Sequence, residues 1–189
     1  YHDLRKRVNM ERIIKSMESK YLISSLDLVE DVFAKWDSHE EGKVVRSLIE
    51  EIRSEKYYLP QLELLMVNED DEVIGYAMFS RFHIEGKYEN ELLLLSPVAV
   101  KTELQRQHIS KDLLEFKKAT EMGFKAVLVE GNPKNYNSRG FESSYKFGIE
   151  AGKNIKLPNP DCLMIKELEK GASDTMSGFV DFSFYNALR

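Results

Sequence analysis

The 189-residue chain has a single cysteine, Cys162, and it lacks long apolar runs. One cysteine cannot form an internal disulfide, which favours a reducing compartment such as the cytoplasm. The strongest apolar run, Leu92–Leu95, stops at Ser96 and Pro97, far short of the roughly 20 residues of a membrane-spanning helix. No apolar stretch follows the basic residues 5–7, so a secretion signal is not expected.

The sequence also lacks an excess of basic charge, with 27 Lys and Arg against 32 Asp and Glu and a net charge of −5. Duplex DNA is bound through clustered Lys and Arg, and no such stripe is present, so nucleic acid is not an expected partner. The acidity suits a cationic amine substrate and is equally ordinary for a soluble protein. Since 42% of the residues are hydrophobic, one domain of this length can form a core without disulfides or metal.

The first third of the chain has the apolar spacing of helices. Ser24 and Ser25 are suited to cap one of these helices, and Gly42 interrupts the pattern after it. Tyr21–Ile23 fits a short strand between two helices. The predicted helices are Met10–Lys20, Leu26–Trp36 and Val44–Ile52.

The middle of the chain has the pattern of strands. Leu62–Asn68 and Val73–Phe82 are apolar and flank a short acidic turn, which predicts a hairpin. Glu91–Val100 is apolar on both faces, which is typical of a strand in the middle of a covered sheet. Pro97 cannot donate a ladder hydrogen bond, so we expect a bulge or a break there.

The second half alternates helix and strand. A helix is predicted over Ile109–Met122, with Gly123 as its C-cap, followed by a buried strand at Ala126–Val129. Gly131–Gly140 is a loop with one turn of helix. Further strands are predicted at Ser144–Ile149, Cys162–Leu168 and Phe179–Tyr185. This order of elements predicts an α/β domain with a mixed sheet, over residues 21–189, with a helical N-terminal extension at 1–20.

The segment Leu94–Phe141 contains the motifs that indicate a function. A helix that begins just after a central strand presents unpaired backbone N–H groups and a positive dipole end, which is an anion site that pyrophosphate often occupies. Here the strand ends at Val98, Ala99 and Val100, and a polar stretch leads to the helix at Ile109.

This segment resembles the core of the GNAT acetyltransferases. In that family a strand ends near V-A-V, and a helix opens with Gln/Arg-x-x-Gly-x-Gly/Ala. Gln105 stands at the Gln/Arg position. A second block, Gly131–Phe141, is similar to the G-D-P-x-Y-Y-x-R-x-G-F stretch of a bacterial GNAT subgroup. The resemblance implies a mostly antiparallel central sheet with helices on both faces, and acetyl-CoA as cosubstrate.

The resemblance also implies roles for individual residues. The backbone of Val98, Ala99 and Val100 would bind the pantetheine arm as an added strand does. Tyr136, four residues before Gly140, would protonate the departing CoA thiolate. The pyrophosphate would lie against Gln105, Arg106, Gln107, His108, Ile109 and Ser110.

The phosphate loop departs from the family pattern, because His108 and Ser110 replace both glycines. Glycine allows unusual φ values and a close approach to phosphate. Two alternatives follow. His108 adopts an allowed conformation and adds a donor to the phosphate, or the loop has lost tight binding of CoA.

Several polar residues are candidates for further roles. Asn132 touches the cofactor or shapes its turn, and Arg139 reaches a phosphate or lies on the surface. Glu130, at the end of a central strand, is a candidate general base, as are His83 and Glu85 after the preceding strand. No metal site and no nucleophilic triad are predicted.

Two functions remain open at this stage. The first is direct transfer of an acetyl group from acetyl-CoA to a primary amine on a small molecule or a peptide. The second is a GNAT-like sensor or partner-binding module without turnover, which the altered loop favours. A homodimer is compatible with either function, and the sequence predicts no membrane partner.

Overall fold

Side chains of the central strands alternate between two apolar faces. In the computed structural model, which describes residues 12–114 and 116–189, strand β4 (Leu92–Val100) directs Leu92 and Leu94 into one buried cluster. Leu93 and Leu95 point into a second buried cluster on the opposite face. Because both faces are apolar, helices cover both, and the prediction of a strand inside a covered sheet is confirmed.

The helices divide between these two faces. One face carries α1 (Leu22–Trp36) and α2 (His39–Arg53), which pack against each other and bury residues such as Val29 and Ile49. The other face carries two short helices, α3 (Ile109–Leu113) and α4 (Lys117–Glu121). A single helical turn, α5 (Pro133–Tyr136), follows later in the chain. No helix in the described part of the chain is long and apolar enough to cross a membrane.

The main sheet has seven strands in the order β1-β2-β3-β4-β5-β8-β6. Strands β4 and β5 run parallel, and the other neighbouring pairs are antiparallel. Strands β7 and β9 form a separate parallel pair. The predicted α/β fold with a mixed, mostly antiparallel sheet is therefore confirmed. The other strands are β1 (Ile13–Ser16), β2 (Glu63–Val67), β3 (Val73–Arg81), β5 (Ala126–Glu130), β6 (Glu142–Ser143), β7 (Ile149–Ala151), β8 (Leu163–Glu167) and β9 (Gly178–Val180).

The predicted hairpin and the predicted bulge are both present. Strands β2 and β3 pair antiparallel across the acidic turn. In β4, Val98 lies opposite Ala77 of β3, whereas Leu95 lies opposite Phe79. Strand β4 thus has one residue more than β3 between these pairs, which is a β-bulge beside Pro97.

The helix predicted over Met10–Lys20 is wrong where the structure describes it. Ile13–Ser16 forms the edge strand β1, antiparallel to β2, while residues 1–11 lie outside the described part. Ile14 packs against the core and Ile13 is exposed, as alternation along a strand requires. A four-residue strand is too short for periodicity to distinguish it from a helix.

The predicted ends of the first two long helices are also corrected. Tyr21–Ile23 is not a strand, because α1 begins at Leu22, and Ser24 and Ser25 lie within α1 instead of capping it. Their hydroxyls donate to the carbonyls of Tyr21 and Leu22 three residues earlier. The N-cap of α2 is Ser38, whose hydroxyl accepts a hydrogen bond from the N–H of Glu41 at 3.1 Å.

Gly42 does not interrupt the helical pattern, because it lies inside α2. A Cβ at this position would come within 2.6 Å of the carbonyl oxygen of Glu30 and within 3.2 Å of Ala34. The glycine therefore allows α2 to pack closely against α1.

The helix predicted over Ile109–Met122 is split into α3 and α4. Leu114 leaves the helical region of φ and ψ, and Glu115 is outside the described residues. After the break, the ring of Phe116 packs edge-on against Phe79 and Phe141, each at a centroid distance of 5.8 Å. Apolar spacing alone could not show that burial of Phe116 competes with a continuous helix.

The last strands are partly corrected. Strand β8 confirms the prediction at Cys162–Leu168, but Ser144–Phe147 is a 3-10 helix and the strand there is β7. Of the strand predicted over Phe179–Tyr185, only the first two residues are in a strand, because β9 ends at Val180. Two 3-10 turns follow, and they bring the C-terminal residues against α2.

Candidate functional site

A cleft opens where the two parallel strands separate. Strands β4 and β5 pair from Leu92 and Ala126 up to Leu94 and Leu128. Beyond this point β4 continues to Val100, whereas β5 ends at Glu130. The resulting cleft has a volume of about 1050 Å³ and contacts the ends of both strands.

The β4 side of the cleft is an unpaired strand edge. Past Leu94, β4 pairs with β3 on one side, and its other side faces the cleft. Val98, Ala99 and Val100, which the sequence predicts as the pantetheine site, all line the cleft. Unpaired N–H and C=O groups at such an edge can hydrogen-bond an extended amide-containing chain.

The loop after β4 has the backbone conformation that glycine favours. Arg106 has a φ of 65° and His108 a φ of 63°, both in the left-handed region. His108 is the residue just before α3. His108 thus has an allowed left-handed conformation, which is the backbone part of the first alternative, and the loop follows a glycine-like path with an imidazole added.

Close packing of α3 on the sheet positions this loop. A Cβ at Gly75 of β3 would lie 2.7 Å from Leu113 and 2.8 Å from Ile109. The glycine therefore lets both side chains sit directly on the strand. With five residues, α3 has a weaker dipole than the long helix that the sequence predicts, so an anion here would depend on the unpaired N–H groups of the first turn.

Arg139 joins the two segments of the sequence motif. Its guanidinium donates one hydrogen bond to the hydroxyl of Ser110 at 2.9 Å and another to the carbonyl of Asn135 at 2.7 Å. Its Nε is buried without a partner among the described residues. Arg139 thus holds the loop after β5 against α3, and it adds positive charge to the cleft.

Tyr136 lies on the β5 side of the cleft. A Cβ at Gly131 would come within 2.4 Å of the Tyr136 ring, so the glycine lets the ring rest on the backbone. Phe141 contacts the ring edge-on at 5.4 Å, and the Arg139 guanidinium lies 5.9 Å from the ring centre. Burial raises the pKa of the Tyr136 phenol, against a smaller opposing effect of Arg139, so the hydroxyl stays protonated at neutral pH.

Glu130 follows as the last residue of β5 and also lines the cleft. Its side chain reaches solvent, yet the surrounding protein atoms partly desolvate the carboxylate and raise its pKa. The shift moves the carboxyl group toward values at which it can accept a proton near neutral pH.

The other predicted residues divide between the cleft and other surfaces. Gln105, Arg106, His108, Ile109, Ser110 and Asn132 line the cleft, and Asn132 also caps α5 by accepting from the Lys134 N–H. The side chain of Gln107 points away and accepts a hydrogen bond from Arg12. The alternative bases His83 and Glu85 do not line the cleft; they bond to Gly86 and to the Phe179 N–H.

Sequence reasoning missed one wall of the cleft. Trp36 and Glu41 line it from the turn between α1 and α2, and Phe182 and Leu188 line it from the C-terminal turns. The spacing of Trp36 identified it as part of an apolar helical stripe. No local signal connects Phe182 or Leu188 with a site more than 40 residues earlier in the chain.

Comparisons with known proteins agree with this geometry. The sequence model of the acetyltransferase (GNAT) family matches residues 26–147, and the chain belongs to this family. No curated protein sequence matches the chain.

Solved structures show the same fold. The GNAT family N-acetyltransferase YhbS from Escherichia coli, in complex with CoA, aligns with a TM-score of 0.74 at 20% identity, over 89% of this chain and 88% of that one. A GNAT family acetyltransferase from Brucella melitensis, in complex with acetyl-CoA, aligns with a TM-score of 0.65 at 19% identity, over 92% and 98%. The ribosomal-protein-S18-alanine N-acetyltransferase from Escherichia coli aligns with a TM-score of 0.54 at 16% identity, over 85% and 96%.

Proposed function

We propose that the protein transfers an acetyl group from acetyl-CoA directly to a primary amine. The observation that carries this proposal is the cleft between β4 and β5, which runs from the loop at Arg106–Ser110 past an unpaired strand edge to Tyr136 and Glu130. Membership of the GNAT family and the CoA complexes of two similar structures support the same cosubstrate.

The polar groups along the cleft suit the parts of acetyl-CoA. The backbone N–H groups at the start of α3, with Arg106 and Arg139 nearby, supply donors and positive charge for a pyrophosphate. The edge of β4 at Val98–Val100 offers backbone groups for the two amides of the pantetheine arm. The thioester would then lie near Tyr136.

The chemical step needs two proton transfers. The amine nitrogen attacks the acetyl carbonyl carbon, the C–S bond breaks, and the proton of the Tyr136 hydroxyl goes to the leaving thiolate. The proton lost by the amine goes to Glu130, directly or through water. Orientation of the two reactants in one cleft supplies much of the rate, with no covalent intermediate on the protein.

A second function, a binding module without turnover, is favoured by the composition of the loop. Both glycines of the family pattern are replaced, and Arg139 already bonds to the hydroxyl of Ser110. Binding of acetyl-CoA without acetyl transfer would select this function.

Acetyl-CoA at 100 times its dissociation constant is expected to raise the free energy of unfolding by about 2.7 kcal/mol, because it binds the folded state. Thermal unfolding with increasing acetyl-CoA measures the shift, and sodium acetate at the same concentrations is the control. No change in melting temperature at millimolar acetyl-CoA would contradict both the enzyme and a CoA-binding module.

His108→Gly is expected to keep or to tighten the binding of CoA, since glycine takes a positive φ without a steric cost and clears space for phosphate. Gln107→Gly is the matched control: its φ is not positive, and its side chain lies outside the cleft. We expect this control to lose roughly 0.5–1 kcal/mol of stability, with CoA affinity unchanged. Calorimetric titration with CoA measures the affinities, and a large loss in His108→Gly would show that the imidazole itself holds the phosphate.

A further inference from the structure

One wall of the cleft has a composition different from the rest. It is built from apolar side chains of α1, α2 and the C-terminal turns, on the face of the sheet opposite to α3. The exposed members are Trp36, with 77% of its surface accessible, and Leu188, with 38%. The wall consists of Val32, Phe33, Trp36, Val45, Leu48, Phe182 and Leu188.

The apolar wall is held in place from both sides. The ring of Trp36 packs edge-on against Phe33 at a centroid distance of 6.0 Å. The C-terminal turns are tied to α2 because the carboxylate of Glu51 accepts hydrogen bonds from the N–H groups of Asn186 and Ala187, each at 3.0 Å. Trp36 is thus a supported aromatic ring with an open face, which is suited to stack on a ligand.

The charged lining residues come from different elements. The basic lining residues, Arg106, His108, Lys111 and Arg139, come from the loop, α3 and the segment after α5. The acidic lining residues are Glu41, on the first turn of α2 after Trp36, and Glu130. Neither carboxylate forms an ion pair with a described residue. The apolar wall therefore carries one carboxylate, Glu41, that no ion pair among the described residues compensates, whereas Glu130 lies on the β5 side.

We infer that the apolar wall binds the acceptor, and that the acceptor is an arylalkyl amine, a cationic primary amine on an aromatic body. The inference rests on the proposed function, which requires an amine beside the thioester. An aromatic ring would bury apolar area against Trp36 and Leu188, and the ammonium would be attracted to Glu41 on approach. A polyamine or an amino sugar would instead leave its polar groups against an apolar wall, at a cost in free energy.

The test uses 2-phenylethylamine as the probe and ethanolamine as the polar comparison. Trp36 is the single tryptophan of the chain, so its fluorescence reports binding in its own surroundings. We expect 2-phenylethylamine to bind at least about tenfold more tightly than ethanolamine, with CoA present, because the phenyl group is buried in an apolar pocket. Equal affinities, or tighter binding of ethanolamine, would overturn the inference.

Matched variants locate the binding. Glu41→Gln is expected to weaken the binding of 2-phenylethylamine up to about fivefold, as for a partly exposed ion pair. Its control is Glu40→Gln, on the same helical turn but outside the cleft, which is expected to leave this affinity unchanged. Leu188→Asn should reduce the preference for the aromatic amine, and the exposed control Ile23→Asn should not. An unchanged preference in both Glu41→Gln and Leu188→Asn would contradict the proposed position of the acceptor.

The fluorescence titration needs no acetyl transfer, so it separates this inference from the proposed function. Tight binding of 2-phenylethylamine without its acetylation would support an aromatic amine site at the apolar wall and contradict 2-phenylethylamine as an acceptor of acetyl transfer. Turnover of ethanolamine without a preference for the aromatic amine would support the enzyme and contradict the aromatic class of acceptor.

Discussion

Replacing Arg53 by methionine is expected to lower the free energy of unfolding by about 3–5 kcal/mol, because it leaves a buried carboxylate without its cation. Glu63 of β2 is fully buried, and its carboxylate receives hydrogen bonds from Arg53 at 2.9 Å and from the hydroxyls of Tyr58 and Tyr76. Burial raises the pKa of both phenols, so they remain protonated donors. Urea unfolding followed by circular dichroism measures the loss.

Two controls separate the buried pair from ordinary surface charge. Arg46→Met removes a partly exposed ion-pair partner on the same helix and should cost at most about 1 kcal/mol. The double variant Arg53→Met with Glu63→Met should recover part of the loss, because no charge is left buried although the hydroxyls of Tyr58 and Tyr76 lose their acceptor. A loss below about 1 kcal/mol for Arg53→Met alone would show that the carboxylate finds water or another partner.

This network also supports the apolar wall of the cleft. Besides Glu63, the guanidinium of Arg53 donates to the hydroxyl of Ser25 at 2.8 Å and to the carbonyl of Leu22 at 3.1 Å. It therefore connects α1 and α2 to β2, and these two helices carry Trp36 and Glu41. A folded Arg53→Met variant would test whether loosening this connection changes amine binding.

Tyr136→Phe is expected to reduce turnover by roughly 10²–10⁴-fold with the affinity for CoA nearly unchanged, because in the proposed step the hydroxyl protonates the leaving thiolate, while the ring still packs. The ring contacts with Gly131 and Phe141 do not involve the hydroxyl, so the melting temperature should be preserved. Release of the CoA thiol in the presence of an amine measures turnover, and acetyl-CoA hydrolysis is the substitute where transfer is slow.

Tyr145→Phe is the control for this variant, since its hydroxyl bonds to the Ala151 N–H outside the cleft. Unchanged turnover in Tyr136→Phe would remove the phenol from the mechanism and leave water as the proton source. A collapse of the melting temperature would instead assign the hydroxyl to a structural hydrogen bond.

The elements that the sequence predicted correctly are those whose pattern is local and repeated. Strand β4 is apolar at successive positions, and the β2–β3 hairpin has apolar runs on both sides of an acidic turn, so periodicity suffices. The motif at Val98–Ser110 combines a strand end with a polar loop, and the structure places most of these residues, though not Gln107, at one cleft. Their roles toward acetyl-CoA remain predictions.

The elements that were predicted wrongly depend on distant partners. Strand β1 exists because β2 offers it an edge, and a four-residue run contains no sign of that partner. The break after Leu113 is followed by the partly buried Phe116, whose ring contacts Phe79 and Phe141. Leu188 reaches the cleft because Glu51 anchors the C-terminal turns, 135 residues away from Asn186. Each is a tertiary contact, which propensity and spacing do not encode.

The most direct test of the proposed acetyl transfer is to count its products. The protein is incubated with acetyl-CoA and an excess of 2-phenylethylamine, and mass spectrometry quantifies the N-acetyl amine beside the released CoA thiol. We predict one N-acetyl product for each thiol, many times the amount of protein, and a large decrease of both in Tyr136→Phe. Stabilisation by acetyl-CoA without N-acetylation of 2-phenylethylamine, ethanolamine, spermidine or a peptide with a free N-terminus would contradict the enzyme and establish the binding module.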